Sequence, residues 1–146
     1  MSREHFGKVL HDITRSGVYH TPSQGMDDLV AAAESNGCAV YRIDLGEVKD
    51  KDALLERLAI SLEFPDWFGH NWDALQDCLT DLSWQPSVGH IVILERCDGF
   101  RADHGEDFAT ALQVFAAASD YWREEGVPFW TLVDMHADGI AYLPGL

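Results

Sequence analysis

Positive charge is scarce in this sequence: 10 Lys and Arg stand against 25 Asp and Glu, a formal net charge of −15 over 146 residues. A field of that sign repels phosphate backbones and attracts cationic surfaces. Direct binding of nucleic acid is therefore not expected, and a basic protein is the expected kind of partner. Cysteine is sparse too. Cys38, Cys78 and Cys97 are odd in number, widely spaced and contain no CxxC pair. That excludes a disulfide framework and the usual zinc-knuckle spacing, and it fits free thiols packed as small apolar residues in a reducing cytoplasm. No stretch approaches ~18 uncharged apolar residues, and Met1 to Lys8 mixes charge and polarity instead of leading from a basic patch into an apolar run. Neither membrane spanning nor secretion is expected. The chain also lacks GxSxG, P-loop, GxGxxG and HExxH motifs, which removes the most recognisable catalytic and nucleotide-binding signatures. Repeats, low-complexity tracts and Pro/Gly/Ser linkers are absent, so residues 1–146 are expected to form one domain around one substantial core, with 47% hydrophobic residues to fill it.

What is present alternates helix and strand. Met26 to Ser35 carries Met26, Leu29, Val30 and Ala33 at helical spacing and stops at Asn36-Gly37, a usual left-handed terminator. Ala39 to Leu45 alternates Tyr41, Ile43 and Leu45 with more polar neighbours and reads as a strand. Asp50 can cap a helix bearing Leu54, Leu55, Leu58 and Leu62, and Pro65 stops it. A second helix is expected from Asn71, as cap, to Leu82, with Leu75, Cys78, Leu79 and Leu82 inward. His90 to Glu95 is a near-continuous apolar run suited to a central strand covered on both faces. Asp103 is read as the start of a long helix with Phe108, Ala111, Leu112, Phe115 and Ser119 on one stripe, closed by Gly126, and Phe129 to Val133 as the last core strand. Strands separated by helices pair in parallel, which predicts an α/β fold with a small, mostly parallel sheet of about three core strands packed with helices. Residues 1–37, with a possible short strand at Gly17 to His20, and the tail 135–146 lie outside this minimal unit of about 38–134.

Between Arg57 and Arg96 there is no Lys or Arg, yet Glu63, Asp66, Asp73, Asp77, Asp81 and Glu95 fall inside the gap. Asp73, Asp77 and Asp81 recur every fourth residue, while Leu75, Leu79 and Leu82 mark the buried stripe. Residues two apart on a helix are separated by roughly 200°, so the aspartates face away from the core as an acidic ridge. Such a ridge works slightly against the helix, since like charges four apart cost about 0.2–0.5 kcal/mol per pair. A solvated acidic face is the plain alternative. Just upstream, Phe64-Pro65-Asp66-Trp67-Phe68-Gly69-His70 crowds three large rings into a short loop, with Trp72 and Trp84 following. A loop of that length cannot easily bury Phe64, Trp67 and Phe68 together, so at least one ring is expected to face solvent. An exposed aromatic beside an acidic ridge is the composition of a hot spot for a basic partner.

The run from Phe64 to Thr80, FPDWFGHNWDALQDCLT, resembles the signature of the barstar family: apolar-Pro-acid-aromatic-aromatic-Gly-x-Asn-x-Asp-Ala-Leu-x-Asp-Cys-Leu-Thr. Leu112-Gln113-Val114-Phe115 in the later helix supports the match, and the resemblance spans about Cys38 to Asp134. It implies a cytoplasmic inhibitor, an immunity protein, that plugs the active site of a small basic secreted ribonuclease, with helix aspartates standing in for RNA phosphates. Asp73 and Asp77 match the family's two inhibitory aspartates, and Trp67 its aromatic before the binding helix. Asn71, Gln76, Asp81 and Trp84 complete the expected partner-binding set, Trp84 only if one residue is inserted before it. Gln76 stands where the family has a tryptophan, and Ala117 where its interface carries a glutamate. Two other readings stay open. One is an acidic phosphate mimic for another basic nucleic-acid-binding protein. The other is a hydrolase built from His70 with Asp66 and Asp73, or from His90, Cys97, Asp98, Asp103 and His104. None of these residues has metal-ligand spacing on one element, so no enzyme activity, metal or cofactor is expected.

Overall fold

Strands that read as apolar on both faces need helices above and below, and the structure supplies both layers. A computed structural model describes residues 3–136 and 139–143. In chain order the elements are α1 (Arg3–His11), β1 (Val18–His20), α2 (Met26–Ser35), β2 (Ala39–Asp44), α3 (Lys51–Ser61), α4 (Trp72–Leu79), β3 (His90–Glu95), α5 (Asp98–Asp103), α6 (Gly105–Glu124), β4 (Phe129–Val133) and β5 (Ala141–Tyr142). The strands form one sheet of order β2-β3-β4-β1-β5 in which every neighbouring pair is parallel.

The α/β class and the parallel sheet are as the sequence implies, but the sheet has five strands, not about three. The difference comes from the two regions outside the minimal unit. Residues 18–20 insert beside β4, with Val18 opposite Thr131, and residues 141–142 pair beyond them. The possible short strand at Gly17 to His20 forms as β1, whereas the two residues of β5 carry too little alternation to be read in advance. Calls on residues 1–2, 137–138 and 144–146 lie outside the described residues.

Each face of the sheet has its own core. On one, Tyr41, Ile43, Val92, Leu94, Phe129 and Val133 pack with residues of α3, α4, α5 and α6. On the other, Ile91, Ile93, Trp130 and Leu132 pack under Phe6, Leu10, Leu29, Ala32 and Ala33 of α1 and α2. Trp130 is fully buried, and its indole N–H donates to the Leu10 carbonyl at 3.0 Å, tying the last turn of α1 to the sheet. Residues 3–36 thus supply the second helical layer.

Two helix boundaries differ from expectation. The long helix starts at Gly105, not Asp103, because His104 leaves the helical region (φ −137°, ψ 55°) and separates it from the short α5. The second helix ends at Leu79, not Leu82, because the chain reverses through Leu82 at φ 48°. Leu82 still reaches the core, at 2% exposure. No helix among the described residues is long and apolar enough to cross a membrane.

Candidate protein-binding site

Helix α4 has eight residues, too few for a helix to hold itself together in water. Its neighbours hold it at both ends. Asn71 is extended and its side-chain oxygen accepts the Ala74 N–H at 2.8 Å, satisfying one of the free donors of the first turn. At the other end the Thr80 hydroxyl donates to the Gln76 carbonyl at 2.8 Å, and the Trp122 indole N–H reaches from α6 to the Leu79 carbonyl at 2.7 Å. Leu75, Cys78 and Leu79 have no exposed surface. The opposite stripe, where residues three and four apart line up, presents Asp73, Gln76 and Asp77 to solvent.

Asp81 is exposed as well, but it lies in the reversal after α4 and not one turn further along it. The acidic ridge therefore has two members on the helix and a third in the following turn. Among the described residues none of the three carboxylates is in an ion pair or accepts a hydrogen bond. Five of the chain's arginines are paired elsewhere: Arg3 with Asp28, Arg15 with Asp12, Arg42 with Glu95, Arg96 with Asp44 and Arg123 with Asp120. Beneath the ridge, burial first and then the Asp77 and Asp81 charges push the Cys78 thiol up to about 11, so it carries no thiolate at neutral pH.

The aromatic loop sorts its rings by depth. Phe68 is buried at 6% exposure and Phe64 is half-buried, whereas Trp67 is 59% exposed. Trp67 is braced from one side: the half-buried Trp84 meets it edge-on at 6.3 Å and 85°, and meets Phe64 at 6.1 Å. Trp84 is fixed in turn by its indole N–H, which donates to the Leu62 carbonyl at 3.1 Å, the end of α3. An exposed, braced indole in the loop that leads into a helix with two unpaired carboxylates can exclude water around charge-assisted bonds.

The residues weighed for catalysis are placed differently. His90 is buried, its Nδ1 is 3.1 Å from the Tyr41 hydroxyl, and burial pushes its pKa down to about 4. Cys97 is buried, and burial raises its thiol to about 12. Asp98 holds the His136 ring at 2.5 Å, and His70 pairs with Glu56 at 2.6 Å. No group of three or more His, Cys, Asp or Glu among the described residues could hold a metal ion. Sequence reasoning did not find Trp122 or Glu56, since nothing in their spacing says which distant element each will touch.

Set against known proteins, the family model described as Barstar (barnase inhibitor) matches residues 38–134, from just before β2 to just after β4. The match includes α4, the aromatic loop and α6, and leaves α1, β1, α2 and β5 outside. A search of curated proteins found no match.

Proposed function

This chain belongs to the barstar family, and we propose that it is a protein inhibitor that closes the active site of a small basic ribonuclease with the Asp73–Asp77 face of α4 and the Trp67 loop. The observation that carries this reading is the pair of exposed carboxylates one turn apart, on a helix capped at both ends, with no cation paired to either among the described residues. Folding gains nothing from Asp77 at that position. A cluster of Arg and Lys that binds RNA phosphates gains two anions of fixed spacing and an indole to exclude water.

Gln76, exposed between the two aspartates, and Ala117, half-buried on α6, stand where the family interface has a tryptophan and a glutamate. A smaller polar contact and a missing carboxylate fit a ribonuclease whose surface differs from barnase at both points. Such a protein acts in the cytoplasm as an immunity protein, silencing the enzyme until export. Titration of the ribonuclease secreted by the same cell tests this. The expected result is a linear loss of activity to an equimolar endpoint. An enzyme that stays fully active in excess of this protein overturns the proposal.

A further inference from the structure

Helix α3 ends without the residue its geometry favours. Glu63 follows the C-cap Leu62 at φ 55°, in the left-handed region usually filled by glycine or asparagine. His70, just before the α4 cap, is a second non-glycine residue there, at φ 53°. Both line one cleft of about 340 Å³ between α3 and the Phe64–His70 loop, at the small end of the range for ligand pockets. Phe64 and Phe68 also line it, as do the carboxylate residues Glu56, Glu63 and Asp66, and no Lys or Arg does. Glu56 is bonded to His70 and Glu63 to Gln85, while Asp66 has no ionic or side-chain hydrogen-bond partner among the described residues. Ile60, on the α3 side of the cleft, is 65% exposed.

We propose that this cleft is a second docking pocket, which receives an arginine side chain of the basic partner. The inference rests on the reading of that partner as a basic protein. Three features point to arginine. Aromatic rings and carboxylates together suit a planar guanidinium, which stacks and forks at once, better than a strongly hydrated ammonium. The exposed Ile60 gives the aliphatic stem an apolar surface to lie on. Asp66 and Trp67 are consecutive, so a partner laid across the loop from α4 reaches the cleft without a second footprint. Glu63 keeps its carboxylate at the cleft, bonded to Gln85, at a left-handed position where glycine would relieve the backbone.

The test is a titration of isotope-labelled protein with Nα-acetyl-arginine methylamide, followed by amide chemical shifts, with the uncharged citrulline analogue as control. Saturable shifts centred on residues 59–70 are expected with arginine and not with citrulline. Glu63→Gly combined with Asp66→Asn should weaken that binding at least about fivefold without lowering the melting temperature, and Asp66→Asn alone should weaken it in the same direction. Asp77→Ala should leave the titration unchanged. Shifts equal with citrulline, shifts centred on α4 instead, or binding that survives the double variant overturn the pocket. Because the probe is a single amino acid, those results leave the α4 interface standing, whereas an intact titration in a protein that inhibits no ribonuclease overturns the interface alone.

Discussion

Two carboxylates on the same helix face differ in what they do for the fold. Asp73 sits in the first turn of α4, where the positive end of the helix favours it by about 0.3–1 kcal/mol. Asp73→Ala should therefore lower stability by roughly that amount in addition to weakening the partner's binding, as paired denaturation and inhibition curves will register. Asp77, one turn on, has no such gain. His90 shows what burial does to a residue that reads in sequence as a catalytic candidate. Its neutral ring is held against the Tyr41 hydroxyl, and burial lowers its pKa from 6.5 to about 4. Between those values the unfolded chain holds a proton that the folded one does not, so stability is full above about pH 6.5 and falls as the pH drops towards 4, by roughly 3 kcal/mol if the whole shift is expressed. Urea midpoints should decline from pH 7 to 5 in the native protein and decline less in His90→Gln, which keeps a hydrogen-bonding side chain for Tyr41. Equal slopes would mean that His90 does not titrate as its burial implies. The spacing of the aspartates and the crowding of the loop make the exposure of Asp73, Asp77 and Trp67 legible in sequence; the fate of a lone histidine depends on packing that no local pattern encodes.

Among the elements, α4 is the one whose length decides the site. Its apolar spacing runs on to Leu82 and makes the helix look longer than it is, because a left-handed reversal delivers Leu82 to the same core that one more helical turn would have reached. Asp81 shares that error. The start of α4 is legible for a local reason: an asparagine before a helical run caps it. Asn71 was also expected to touch the partner, and its hydrogen bond to Ala74 gives it a role in the fold. Asn71→Ala should cost about 1 kcal/mol of stability, and Asn71→Ser should restore most of it by supplying another capping oxygen. If serine restores stability but not inhibition, the side chain also meets the partner. The Trp122 hydrogen bond to Leu79 has no sequence signature, since it joins residues far apart in the chain.

At the scale of the whole molecule, the family match and the folded unit differ in extent. Residues 38–134 carry the site, but Ile91, Ile93, Trp130 and Leu132 of its strands are buried only because α1 and α2 cover them. Deleting residues 1–37 would bare that face and leave β4 as a sheet edge, so the remaining fragment should lose its cooperative melting transition and aggregate. The sequence shows that the extension is partly helical; it does not show which face of the sheet needs it. The net charge acts on the same scale. Association with a basic ribonuclease should slow markedly as salt rises, because steering is screened beyond roughly 8–10 Å near physiological ionic strength, and a stopped-flow rate indifferent to salt would contradict it. The central claim is that the exposed face of α4 exists for a partner and not for the fold, and Asp77→Ala tests it most directly, with melting temperature and inhibition constant measured on the same sample. Leaving the partner's cations without an anion typically costs about 2–5 kcal/mol, so inhibition should weaken roughly thirty- to several-thousand-fold while the melting temperature stays level or rises slightly. A variant that melts lower yet inhibits normally would contradict the account.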